Sequence, residues 1–205
     1  MKRGQHLNST KLPPLRLRFG VGFVLLISAI YFFDTQGIIA ALMPAVFIHE
    51  LGHMAVLVFL GAPPRKLTAS LSGFSMDYVG SLSCRGELAA ALGGPVFGLL
   101  FAFFCAWCGR WLENDFLLLS AGLGCVLNLF NLLPARPLDG GRALCAVLEM
   151  KLSSRTALRI TTVIGVLISL GLVGFGVYCF LEGRGFALIP AGAWLLFMQK
   201  TRTCK

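Results

Sequence analysis

The sequence predicts an all-α polytopic membrane protein of about six transmembrane helices, with a short β-hairpin or re-entrant element after the second. Three observations predict it. Of 205 residues, 57% are hydrophobic and 13% charged, about half the charged share of a soluble domain. Several apolar runs reach or approach the ~20 residues that cross a bilayer. Basic residues are also sorted by side. With the N-terminus in the cytoplasm, the outside segments 34–36, 110–115 and 182–185 hold only Arg110 and Arg184. The other 16 of the 18 Lys and Arg then fall on the cytoplasmic side or within its broken-helix motif.

Residues 1–18, "MKRGQHLNSTKLPPLRLR", form a basic cytoplasmic N-terminal segment with no acid. The apolar run 19–33 reads as a retained first helix, because no small-residue cleavage pattern precedes Asp34. The second span, from about Gly37 to Gly61, is about 37 Å long at ~1.5 Å per residue and crosses a ~30 Å core with tilt. In 62–87, Leu67, Ala69 and Leu71 alternate with Lys66, Thr68 and Ser70 before Gly and Ser turns, a period-2 pattern that predicts the hairpin. A third span covers 88–109. A fourth runs from Phe116 to Leu133, where "NLLPARPLDGGR" breaks it: Pro134 and Pro137 lack donors and disfavour helix just before themselves. The chain resumes as "ALCAVLEM", completing a membrane core over 19–150. Residues 151–205 form a C-terminal two-helix membrane segment, with spans at about 160–181 and 186–198, and a basic tail.

Both termini therefore point to the cytoplasm. The net charge of +9 is explained by this topology and by anionic lipid, so the lipid bilayer is a partner and nucleic acid is not. Seven cysteines are scattered through apolar runs. Cys105 and Cys108 make a C-x-x-C inside "LLFAFFCAWCG", where cysteine acts as a small buried hydrophobe rather than a redox or metal ligand.

The second span carries "HELGH" near its middle. Ionisable side chains at a helix centre cost ~2.5–3.5 kcal/mol each on insertion scales and mark function. His49 and His53, four apart, lie on one helical face, where two imidazoles can chelate one zinc ion. Glu50, next to His49, can act as general base on a zinc-acidified water and then as acid toward a leaving amine. A catalytic zinc site usually has three protein ligands. His6 lies in the basic tail, and Asp34, Asp77, Glu87, Glu113, Asp115, Glu149 and Glu182 lie in loops or near span ends. Asp139 follows the proline-broken helix inside an apolar segment. Non-helical backbone at membrane depth needs surrounding protein or a water-filled cavity, so Asp139 is the expected third ligand, with one Zn2+ per chain.

"HELGH" together with "NLLPARPLDGGR", and the "LGGPVFG" stretch at 92–98, resembles the site-2 protease family of intramembrane zinc metalloproteases (M50-like), over roughly residues 15–150. The resemblance implies an intramembrane metalloendopeptidase that cuts a membrane-anchored protein in or near its transmembrane segment. His49, His53 and Asp139 are then the metal ligands and Glu50 the catalytic base. Asn128 or Asn131 takes the family's polar substrate-binding role near the scissile peptide; the other reading of both is helix-to-helix bonding within the broken segment. Gly98 stands where many relatives have asparagine, and with Gly94 it fits a G-x-x-x-G packing pattern. The compact build is most similar to the stage IV sporulation protease subgroup, which implies a pro-sigma-factor substrate and a regulatory membrane partner. The stretch "RKLTASLSGFSMD" is expected as a surface hairpin, or as an edge strand that holds substrate. Arg136 and Arg142 are expected to meet lipid headgroups or a local acid. The alternative class is a non-catalytic membrane metal-binding or regulatory protein. A carrier should show further acids or histidines along the other spans, and a regulator would usually lack Glu50.

Overall fold

The computed structural model of the chain describes residues 16–20, 28, 32, 34–70 and 73–199. The basic segment before Arg16, nearly all of the expected first helix and the tail beyond Gln199 lie outside the described residues. Six helices are described in full: α1 (Ile38–Phe59), α2 (Cys84–Trp111), α3 (Asp115–Asn131), α4 (Asp139–Glu149), α5 (Ser154–Leu181) and α6 (Leu188–Gln199). Three strands, β1 (Arg16–Phe19), β2 (Pro64–Ser70) and β3 (Gly73–Tyr78), form one sheet in that order.

Among the described residues, α1, α2 and α5 are long and apolar enough to cross a membrane. The expected fourth and sixth spans correspond to shorter apolar helices, α3 with 17 residues and α6 with 12. The expected hairpin is present as β2 and β3, antiparallel, with Leu67 opposite Met76 and a register shift between Pro64 and Lys66. The fold is therefore not purely helical. The sequence reading missed β1, which pairs in parallel with β2, Arg16 opposite Lys66. Since β1 takes one side of β2 and β3 the other, β1 and β3 are the outer strands among the described residues. The "RKLTASLSGFSMD" stretch is the expected hairpin; of its two strands β2 is central and β3 is an outer one among the described residues.

Local chemistry sets the helix ends. Gly37, with φ of 69°, starts α1 in a left-handed conformation that glycine adopts without strain. The Asp34 carboxylate then accepts from the Ile38 and Ile39 amides at 2.9 and 2.7 Å. These backbone donors, that of Ile39 foremost, hold the Asp34 carboxyl below the usual range. Ser83, Asn114 and Ser153 cap α2, α3 and α5 in the same manner, each accepting from an amide three residues on.

Packing follows from small residues. On α1 the buried positions are Ala41, Ala45, His49, Gly52, His53 and Leu57, one face at helical spacing. Met43, Phe47, Val58 and Phe59 point outward and are exposed, as lipid-facing positions should be. On α2, Phe103, Trp107 and Trp111 are 75%, 67% and 82% exposed. An apolar belt of this size marks a membrane surface. The central helix α2 packs against α1, α3 and α4, while α5 joins α4 to α6. Helices α1 and α2 pack backbone to backbone at Gly52 and Gly93, where a Cβ on Gly52 would lie 2.5 Å from the Gly93 carbonyl oxygen. Leu57, Ala62 and Ala90, with Met76, Tyr78 and Leu82 against them, seat the hairpin on the ends of α1 and α2. Cys105 and Cys108 are both free thiols on α2.

Candidate metal centre

The inward face of α1 brings His49 and His53 to one point, with their Nε2 atoms 3.1 Å apart. Asp139, first residue of α4, places Oδ2 3.1 Å from each of those nitrogens. All three side chains are buried. Among the described residues they form a group whose donor atoms converge closely enough to hold one ion.

The position of Asp139 is set by the break before it. Between α3 and α4 the chain turns through Leu132 to Leu138, with a cis peptide bond at Arg136–Pro137. The turn at the start of α4 then packs directly on this backbone. A Cβ on Gly140 would overlap the Leu132 carbonyl oxygen, and one on Gly141 would lie 2.7 Å from that of Ala135. The glycine pair thus lets α4 begin close enough to α1 for the carboxylate to reach the histidines.

Hydrogen bonding fixes both imidazoles. His53 Nδ1 is 2.7 Å from the Ala90 carbonyl oxygen, which can only accept, so Nδ1 carries the proton. The Gly94 amide is a more distant neighbour of the same nitrogen, at 3.3 Å. Asn128 donates through Nδ2 to the Gly124 carbonyl at 2.7 Å, which turns its Oδ1 to His49 Nδ1, also at 2.7 Å. Nδ1 of His49 therefore donates as well. In the neutral rings both Nε2 atoms hold lone pairs, and these face each other and a carboxylate oxygen at 3.1 Å. Three electron-pair donors at that separation repel unless a cation lies between them. Two imidazoles and one carboxylate are a zinc-type donor set, and a tetrahedral zinc with bonds of about 2.0–2.1 Å holds its ligand atoms about 3.3 Å apart. The residues fit the ion. Second nitrogens tied to a carbonyl and an amide are the usual support for metal-binding histidines.

Glu50 follows His49 on α1 and is half-buried. Asn128 is fully buried, its amide engaged at both ends within the fold; Asn131, at the end of α3, is half-buried. Two glycines have a role that the packing motif did not suggest. A Cβ on Gly94 would overlap the His53 ring, and one on Gly98 the Asn128 amide. They make room for site side chains, while the helix crossing itself falls on Gly52 and Gly93. A further polar chain leads away from the site. Asp139 Oδ1 is 3.6 Å from Arg142 Nη1, and Arg142 Nη2 is 4.0 Å from Glu87 Oε2. Glu87 Oε1 accepts a hydrogen bond from the Tyr78 hydroxyl. Burial and the Glu87 carboxylate push the Tyr78 phenol up to about 12. Of these groups, the sequence pointed only to Arg142 as partner of a local acid. The Ala90 carbonyl, as backbone, leaves no mark in a sequence.

Residues 109–172 match the model of Peptidase family M50. That stretch contains the α3–α4 break and Asp139 but not the histidine pair. A zinc metalloprotease of Methanocaldococcus jannaschii is 30% identical over 141 residues, covering 66% of this chain. The chain spans 41% of that relative's length. In fold, the chain is similar to the site-2 protease from the same organism, with a TM-score of 0.69 at 24% identity, over 94% of this chain and 92% of the other. The matched family model and the relative are both of metalloproteases, and the likeness to the site-2 protease shows a shared fold. None of them points to the sporulation subgroup in particular.

Proposed function

We propose that this protein is a zinc-dependent intramembrane endopeptidase, hydrolysing a peptide bond in or near the transmembrane segment of a membrane-anchored protein. The observation that carries the proposal is the convergence of three buried electron-pair donors, His49, His53 and Asp139, within a bundle of apolar helices. Bound zinc supplies a Lewis acid that polarises a carbonyl and acidifies water. Glu50 takes the proton of the attacking water and returns it to the departing amine. Asn128 holds His49 with Nε2 turned to the ion, which leaves Asn131 as the residue that hydrogen-bonds substrate backbone. The asymmetry of Lys and Arg supports cytoplasmic termini and a site opening toward that side. A pro-sigma-factor substrate and a regulatory membrane partner are the narrower form of the proposal.

Zinc content of detergent-purified protein tests it, beside His49→Ala, Asp139→Asn and Glu50→Gln variants. The expected result is about one zinc per chain, lost in the first two variants and retained in Glu50→Gln. Cleavage of tagged single-span test proteins should vanish in Glu50→Gln; a purely metal-binding or regulatory role should survive that change. Zinc undiminished in Asp139→Asn would place the third ligand elsewhere.

A further inference from the structure

The two oxygens of Asp139 face different partners. Oδ2 meets both histidine nitrogens at 3.1 Å, whereas Oδ1 faces the Arg142 guanidinium at 3.6 Å. Arg142 lies three residues on, one turn along α4, so the same short helix carries the carboxylate and the cation beside it. The guanidinium also spans to Glu87 at 4.0 Å, in the first turn of α2. Glu87 in turn accepts from Tyr78, the last residue of β3. A continuous polar chain therefore runs from the sheet, across the start of α2, to the donor group in the bundle.

Fold stability alone does not account for this arrangement. Both ion pairs are long, and the Arg142 and Glu87 side chains are 43% and 34% exposed, so water screens them and each adds little to stability. Their geometric effect is larger. Leu138, which precedes α4, offers no side-chain cap, leaving Asp139 at a helix start where the free amides of the first turn compete for its carboxylate. A cation beside Oδ1 opposes that rotation and keeps Oδ2 turned to the imidazoles. With Oδ1 engaged by the guanidinium, Oδ2 is the oxygen that would meet an ion held by the histidines. The planar fork of arginine can face two carboxylates at once, which an ammonium cannot do equally well.

We propose that Arg142 is a positioning residue for the metal centre: through Oδ1 it holds the Asp139 carboxylate with Oδ2 presented to the ion, and through Glu87 and Tyr78 it ties that orientation to the β-hairpin. This rests on the metalloprotease reading above. Its consequence is that displacement of the hairpin reaches the metal ligand along three side chains.

The test uses the full chain in detergent, with zinc affinity measured by chelator competition and ligand geometry by the visible spectrum of the cobalt-substituted protein. In Arg142→Ala the zinc dissociation constant should rise about 10- to 100-fold, the range for losing a partner of a metal ligand. The cobalt bands should weaken as the released carboxylate turns toward two-oxygen attachment and the coordination number rises. Arg142→Lys, which keeps a charge beside Oδ1, should recover most of the affinity. Glu87→Gln and Tyr78→Phe should shift affinity in the same direction by less. Unchanged affinity and an unchanged cobalt spectrum in Arg142→Ala would overturn the proposal, as would a lower melting temperature with both metal readouts intact. If the wild type itself binds neither metal, the metalloprotease reading fails and takes this inference with it; wild-type binding with an indifferent Arg142→Ala overturns only the inference.

Discussion

Gly98→Ala is the most informative single change, because its harm should travel entirely through one neighbour. A Cβ on Gly98 would lie 2.5 Å from Asn128 Cγ and overlap the amide nitrogen and oxygen. Asn128 is completely buried. Overpacking of this kind costs about 1–3 kcal/mol. Relief requires the amide to swing, which breaks the 2.7 Å bond to His49 and leaves a buried ring N–H without an acceptor, again about 1–3 kcal/mol. The two costs are alternatives, since the clash is relieved by giving up the bond. The share of that loss felt only when His49 must present Nε2 to the ion lowers zinc affinity, by at most about 150-fold, and the rest appears as lost stability. Asn128→Ala should weaken zinc comparably by removing the same acceptor. The decisive variant is the double one. With Asn128 shortened, the new methyl enters the vacated space, so Gly98→Ala/Asn128→Ala should be no worse than Asn128→Ala alone, a coupling of about 1–3 kcal/mol. Chelator competition and thermal unfolding in detergent read both quantities. Additive losses across the cycle would refute the reasoning, because Gly98 would then be acting on something other than Asn128.

Two further outcomes follow from the same contacts. Gly140→Ala sets a Cβ against the Leu132 carbonyl and 2.6 Å from the Leu133 carbonyl, backbone atoms that cannot rotate aside. It should destabilise by about 1–3 kcal/mol and reduce zinc retention, and a melting temperature equal to wild type would contradict it. Tyr78 donates to Glu87 only as the neutral phenol, so its raised pKa contributes stability that is intact below pH 10.0 and lost as pH rises through about 12. Phenolate absorbance of wild type minus Tyr78→Phe should show one late-titrating tyrosine; a difference curve centred on the ordinary value would remove the Glu87 contact.

The convergence of His49, His53 and Asp139 was legible because each is a costly polar group in an apolar run, and because two prolines announced the break that frees Asp139 to turn inward. The hairpin was legible in the alternation around Leu67. The support of the site was not. Asn128 was visible as a polar residue on an apolar helix, but its partner lies 79 positions away, and no local pattern states which helix face meets which. Gly94 and Gly98 matched a helix-packing spacing and instead accommodate an imidazole and an amide, a difference decided by the rotation of α2 rather than by its sequence. Strand β1 is four residues long and alternates basic with apolar side chains, too short to separate from the basic segment around it. Spans were easier to place than to measure: the proline break leaves α3 with 17 residues.

His53 and Asp139 are 86 positions apart, and between them the chain passes through an exposed turn at 112–114, where Glu113 has φ of 50°. A backbone severed at that turn would leave both histidines on one fragment and the carboxylate on the other. Neither piece would own a complete site, and an ion held by the pair would report that the fragments had found each other. The same division orders the donor set in time: the two histidines and the glutamate are synthesised before the carboxylate that would complete the proposed site.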